Sequence, residues 1–466
     1  MTNKNKTIYG LILFSLFISL FYANYNINNF DKNILNESNK SVHLMIKNDP
    51  LRYFSHGYKI KEELKQGINY FKTGEGNFTK YLYPRLIALY YLVFDYNLYE
   101  NSEKQIIKKG IHFKFLIFQI LLYYLSLLFL YFKLRKKIDN KSLFFSLLFL
   151  SIEPTLFQYH GSFWSESIFF SIQVIIMSLV LSNHISNTKF LFIGIFLSLL
   201  SLQRSNGLYY FIPIVLYFFL TKNFSLKKSL LLFFGFIALP LTVGYHNYKS
   251  SGKFFILPLE TKSVLHAYVI PNILNDNELK IEKEKFFKTF KDKGISVKSH
   301  DLSKFNYSRY SFIFCENVNN DSNNHEICDY FDKRSKKIIL SNPLKFLKYV
   351  AKKSLSFSLL NPFHIFSDHK FLSGEEYYKS DLHKKLIPYR VTYSLIIYLV
   401  CFFGLIELIK KRENNLLFYL VISSFYFFII LSWHGNNRYF TPVLIYLSIF
   451  FGYGVNFILK LLKKNY

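Results

Sequence analysis

Four short polar stretches interrupt an otherwise apolar chain, and each holds residue types suited to acid–base or anion chemistry. The first, MIKNDPLRYFSHGY (Met45 to Tyr58), contains Asp49 and Arg52. The second, SIEPTLFQYHGSFWSESIFF (Ser151 to Phe170), contains Glu153, His160, Trp164 and Glu166. Gln203, Arg204 and Asn206 form a third, and His434, Asn436, Asn437 and Arg438 a fourth, in SWHGNNRYFTP. A carboxylate such as Asp49 can take the proton from a hydroxyl as its oxygen attacks an electrophilic carbon. Fixed cations such as Arg204 and Arg438 can hold a phosphate and absorb the negative charge that grows on it as it leaves. Glu166 opens the apolar run of its helix, where an ionised carboxylate is costly and is usually functional or paired. Arg52, His160 and Asn437 are candidates for positioning donor or acceptor. Taken singly, each of these charges also fits a side chain snorkelling to a membrane interface.

Membrane helices are the elements that must bring these stretches together. Of 466 residues, 51% are hydrophobic and 20% aromatic, and the apolar residues gather into runs too long and too pure for a soluble core. The fold class expected is an all-α polytopic membrane protein. The net charge of +28 does not point to nucleic acid, because Lys and Arg concentrate in short connectors between apolar runs and form no basic domain.

Those connectors set the topology. KLRKKIDNK (Lys133 to Lys141) carries five positive charges and one negative, which places it on the cytoplasmic side. Ile8 to Ala23 follows Lys4 and Lys6 with no A-x-A cleavage site behind it, and reads as a retained anchor with a cytoplasmic N-terminus. Further spans are expected at His112 to Phe132, Ser142 to Tyr159, Phe163 to Ser182, Lys189 to Gln203, Leu208 to Leu220, Leu230 to Tyr245, Tyr389 to Ile409, Leu416 to Ser432 and Tyr439 to Leu459. The total is about ten transmembrane helices, with no internal repeat. Tyr81 to Phe94, with Pro84 and Arg85, is then an interfacial or re-entrant helix within a first outer loop, 24–111. Leu344 to Phe366, with Lys345, Lys348, Lys352 and Lys353, is also interfacial, since a span there would put Lys410, Lys411 and Arg412 outside.

Three parts follow: a transmembrane module over 1–246, a large outer domain of mixed character over 247–388, and C-terminal transmembrane helices over 389–466. Asn277 to Lys293, in the outer domain, has amphipathic helical spacing. Cys315 and Cys328 lie in the same domain. They are compatible with one disulfide if that side is oxidising, or with two thiols. Cys401 falls inside an apolar run, as a buried thiol does.

With this topology all four polar stretches lie on the outer side. Positive residues are depleted there, so Arg204 and Arg438 run against the topological preference and fit an anion such as phosphate better. Two carboxylates and two arginines on one face suit sugar transfer from a polyprenyl phosphate, whose leaving group stays in the bilayer.

These residues resemble the GT-C superfamily of membrane glycosyltransferases, especially protein O-mannosyltransferases and the bacterial aminoarabinose transferase for lipid A. NDPLRYFSHGY is similar to that family's first outer loop, which carries an acidic residue, and YLYPRLIALYYLVFD is similar to its Pro-led juxtamembrane segment. GSFWSESIFF looks like its helix-opening Glu motif, LQRSNG like an Arg motif, and Arg438-Tyr439-Phe440-Thr441-Pro442 like a late outer RYxxP. YHNYKSSGKFFILPLETKSVLHAY (Tyr245 to Tyr268) and SNPLKFLKYVAKK (Ser341 to Lys353) are similar in character to the ends of its outer domain.

The resemblance implies inversion at the anomeric carbon. Asp49 would be the base, Glu166 would position donor or acceptor, and Arg204 and Arg438 would lie near the phosphate. It also implies an integral protein of a bacterial inner membrane with its site facing outside. The stretch Met45 to Tyr58 holds a single Asp, Asp49, and no Asp-Glu or Asp-x-Asp pair, and no metal spacing appears among His56, His160 and His434, so no metal or other cofactor is expected. The expected partners are a polyprenyl-phosphate-linked sugar, a lipid, glycan or protein acceptor, and membrane lipids. Two rivals stand beside this reading. A transporter or flippase of lipid-linked glycans would carry charge at mid-membrane depth, and a glycan polymerase or ligase would place its chemistry on arginines of a large outer loop.

Overall fold

The computed structural model describes residues 3–34, 49–67, 82–94, 109–161, 163–182, 186–222, 224–292, 311, 314–315, 322–362, 381–432 and 437–464. All regular elements among them are helical. In chain order these are α1 (Asn3–Ile34), α2 (Asp49–Lys65), α3 (Leu82–Val93), α4 (Lys109–Leu134), α5 (Asn140–Ile152), α6 (Pro154–Phe157), α7 (Glu166–Leu181) and α8 (Asn187–Gln203). A 3₁₀ helix, η1 (Ser205–Tyr210), leads into α9 (Phe211–Leu220) and α10 (Leu226–Ser251). Next come α11 (Glu260–Tyr268), α12 (Ile270–Ile273), α13 (Asp276–Asp292), α14 (Ser322–Ser341) and α15 (Pro343–Ser358). The last elements are α16 (Asp381–Lys410), α17 (Asn414–Ser432), η2 (Asn437–Phe440) and α18 (Thr441–Lys464).

Six helices, α1, α4, α10, α16, α17 and α18, are long and apolar enough to cross a membrane, the make-up of an all-α integral membrane protein. Each coincides with an expected span. The other four expected spans fall on shorter apolar helices, α5, α7, α8 and η1–α9. At 13 residues, α5 is only about 20 Å long against a hydrocarbon core of about 30 Å. The helix expected over Ser142 to Tyr159 is broken because Pro154 disfavours helical geometry at Glu153, whose ψ is 120°. The Glu153 carboxylate then caps α6, accepting from the Leu156 amide at 2.9 Å and the Thr155 hydroxyl at 2.8 Å. With 12 residues, α3 is about 18 Å long, another of the shorter apolar helices.

Close helix crossings organise the bundle. A Cβ on Gly194 or Gly235 would strike the backbone of the facing helix, so α8 and α10 touch main chain to main chain. Gly404 and Gly454 do the same for α16 and α18.

Polar connectors segregate to the two ends. At one end Lys137 donates to the Leu181 carbonyl at 3.1 Å and Lys189 to that of Ser182 at 3.0 Å. There too Lys411 pairs with Asp139 at 3.0 Å and Lys460 with Glu407 at 2.8 Å. The chain directions of α5, α7, α8 and α18 put Glu153, Glu166, Arg204 and η2 at the opposite end.

Every regular element in the described part of 247–388 is a helix, joined by non-helical stretches such as 252–259. Cys315 and Cys328 form a disulfide, with Cα atoms 5.8 Å apart, and pack with Leu259, Phe286, Phe290, Ile327 and Phe331. A covalently closed loop of that size stabilises by about 3 kcal/mol in loop-entropy terms. Arg334 clasps Glu282 on α13 with two hydrogen bonds, one of 2.5 Å. Burial opposes ionisation of Glu282, but Arg334 holds its carboxyl below the usual range. On α15, Tyr349 and Phe357 are buried, whereas Leu344 (80% exposed), Leu347 (61%) and Leu355 (74%) make an outward apolar stripe flanked by lysines. The helix ends beside η2, where Phe357 meets Phe440 at 5.3 Å.

His266 on α11 is fully buried, with Nδ1 3.1 Å from the Ser311 hydroxyl. Burial pushes its pKa down to about 3, while the unfolded chain regains about 6.5. Between these values the unfolded state binds the extra proton, so stability falls as pH is lowered. His266→Gln, which can keep the bond to Ser311, is expected to lose about 2 kcal/mol less than the parent between pH 7 and pH 5, measured by unfolding at a series of pH values.

Candidate functional site

Glu166 begins α7, where the N-terminal helix dipole favours a carboxylate. It is 1% exposed. Arg204 lies at the break between α8 and η1, in extended backbone (φ −152°, ψ 139°), and is 8% exposed. The turn closes with the Gly207 amide donating to the Arg204 carbonyl at 2.9 Å, and a Cβ on Gly207 would collide with the Leu200 backbone. This geometry brings Arg204 Nη1 onto Glu166 Oε1 in a buried ion pair. One residue back, Gln203 Nε2 donates to the Ser165 carbonyl at 2.8 Å, so two rungs tie the end of α8 to the start of α7.

Tyr439 closes the third side, its ring centroid 5.3 Å from the Arg204 guanidinium carbon. It belongs to η2, so the RYxxP stretch and the Arg204 stretch meet in space. Tyr426 on α17 donates to the Asn206 carbonyl at 2.5 Å. The Asn206 side-chain amide and Gln203 Oε1 are enclosed and have no hydrogen-bond partner among the described residues. They are therefore available to a polar ligand beside Arg204.

Asp49 and Arg52 lie in the first turn of α2, and Asn437 and Arg438 in η2, but their side chains fall outside the described residues. One turn after Asp49, Tyr53 packs on Tyr83 at 5.0 Å and Phe54 on Phe163 at 4.4 Å. Phe163 is three residues before Glu166. Burial first, and the Glu166 charge second, push the Tyr83 phenol well above its usual range, so Tyr83 stands within the field of that carboxylate. Gly57, whose Cβ would meet Ile87, locks α2 onto α3.

His160 is fully buried, its ring 4.3 Å from that of Tyr123 and its Nδ1 3.2 Å from the hydroxyl of Ser167, the residue after Glu166. It is thus set behind the start of α7, and Arg204 is not among its hydrogen-bond partners. Glu153 is a cap and an acceptor for Tyr393 at 3.2 Å.

Sequence reasoning passed over Gln119, which accepts from Tyr83 at 3.1 Å, over Tyr426, and over the depth of Arg85, 1% exposed on α3. The signal for Gln119 was a lone amide in the apolar run His112 to Phe132. Among the described residues no three His, Cys, Asp or Glu side chains are grouped to hold a metal ion.

No protein-family model matches the chain, and no curated protein matches its sequence. The chemistry therefore rests on the site itself. A guanidinium has five N–H donors; Glu166 engages Nη1, and the pair together with Tyr439 fixes the plane of the group. Held this way, Arg204 can present its other N–H edge to an oxyanion with little loss of side-chain entropy.

Removing one partner strands the other charge in a buried site. Arg204→Met is expected to destabilise the protein by about 3–5 kcal/mol, and Arg204→Met with Glu166→Gln by clearly less than the sum of the single changes. A double-mutant cycle on detergent-solubilised protein measures the coupling.

Proposed function

We propose that the chain is a membrane glycosyltransferase of GT-C type, with about ten spans, which moves a sugar from a polyprenyl-phosphate donor to an acceptor on the outer face with inversion. The observation that carries this reading is the buried Glu166–Arg204 pair, capped by Tyr439 and flanked by the packed first turns of α2. Asp49 takes the proton from the acceptor hydroxyl while that oxygen attacks the anomeric carbon. The bond from that carbon to the phosphate oxygen breaks, and polyprenyl phosphate departs with the electron pair. Arg204 and Arg438 take up the charge that develops on it. Glu166 acts through Arg204 by orienting the guanidinium, and Asn206 and Gln203 offer polar atoms to the sugar or phosphate.

Two observations support the outward orientation. Lys137, Lys189, Lys411 and Lys460 gather at the end remote from Glu166, the end that the charge rule places in the cytoplasm. The disulfide lies in the region whose last helix, α15, packs beside η2, and disulfides persist on the oxidising side.

Purified protein incubated with polyprenyl-phosphate sugars and a membrane extract as acceptor is expected to release polyprenyl phosphate. Asp49→Asn should abolish release while leaving insertion and yield unchanged. Full activity in that variant sinks the base assignment, and no turnover with any such donor favours transport or polymerisation of a lipid-linked glycan.

A further inference from the structure

A cavity lies at the lysine-rich end, the end opposite Glu166. It measures about 390 Å³, a size typical of small-ligand sites, and sits between the start of α1, the start of α5 and the end of α18. Its lining combines two chemistries. Lys141, Lys460 and Lys463 supply positive charge, and Phe144, Phe145 and Leu459 supply an apolar wall. Lys460 is committed to Glu407 at 2.8 Å. Among the described residues neither Lys141 nor Lys463 is in an ion pair. Asp139, the nearest carboxylate in sequence to Lys141, is engaged by Lys411 at 3.0 Å and by Asn456 at 2.9 Å. The cavity is therefore lined by two cations that no described carboxylate pairs with.

Ile8, at the start of the membrane-crossing segment of α1, completes this apolar wall. A soluble anion would satisfy the lysines and leave this wall bare. A zwitterionic lipid would cover the wall and leave the charge unbalanced. An anionic amphiphile satisfies both, and basic pockets between transmembrane helices are the recurrent way in which anionic headgroups are held.

We propose that this cavity binds the headgroup of an anionic phospholipid, its phosphate between Lys141 and Lys463 and its acyl chains along the seam of α1, α5 and α18. The site is independent of the sugar-transfer reading. Occupancy ties the first helix to the last, which a bundle end rich in like charges otherwise resists.

Delipidated full-length protein in neutral detergent, titrated with phosphatidylglycerol or with phosphatidylcholine of equal chain length, tests this by native mass spectrometry. Phosphatidylglycerol is expected to bind more tightly. Lys141→Gln and Lys463→Gln are each expected to weaken it about fivefold and the double variant about 25-fold, from about 1 kcal/mol per lysine near the headgroup. Lys222→Gln with Lys227→Gln, in a basic connector outside the cavity, should leave binding unchanged, and inorganic phosphate in millimolar excess should not displace the lipid. Equal binding of the two lipids, an equal loss in the connector variant, or displacement by phosphate alone would each overturn the proposal.

Discussion

A buried ion pair at the junction of two helix ends is the constraint on which the rest of this site depends. A carboxylate buried as deeply as Glu166, at 1% exposure, calls for a partner, and Arg204 reaches it because α8 stops at Gln203 and the chain turns extended for one residue. Moving two charges out of water costs several kcal/mol per ion, and their mutual attraction seldom does more than repay it. Such a pair contributes orientation more than stability. The surroundings fit that purpose: Gln203 on Ser165 fixes the register of α7 and α8, and Tyr439 fixes the guanidinium plane.

Hydropathy made the membrane class and the long spans legible, because runs of about twenty apolar residues match the thickness of a bilayer and exceed what a soluble core can enclose. The positive-inside count did more than orient helices. It grouped Glu153, Glu166, Arg204 and Arg438 in connectors of one side, and the chain directions in the structure gather those same connectors at one end. The ion pair itself was not legible, since Glu166 and Arg204 are separated by two apolar helices and no local spacing links them. Tyr83 and Gln119 escaped for a related reason: a Tyr in an aromatic-rich chain, or one amide in an apolar run, becomes informative only when its neighbours in space are known.

Two expectations needed revision for physical reasons that the sequence contained. The run Ser142 to Tyr159 is apolar enough to look continuous, but the X-Pro restriction at Glu153 outweighs hydropathy and makes a short helix with a capped break. The region 247–388 was expected to be of mixed character, and its described regular elements are all helices. Among the described residues its charges lie on helix faces, where Arg334 and Glu282 or Lys262 and Asp329 tie one helix to the next.

The glycine crossings extend the reach of the site well beyond its own residues. Tyr439 immediately precedes α18, and Gly454, where α18 crosses α16, lies 15 positions further along, about 22 Å at helical rise. The close crossing at Gly404 and Gly454 thus sets the tilt of α18, which carries the ring over Arg204 at its far end. A tilt of about 5° at that crossing would carry the ring by about 2 Å, enough to take it out of cation–π range of the guanidinium. The smallest side chains in the bundle therefore hold a geometric tolerance for a contact they never touch.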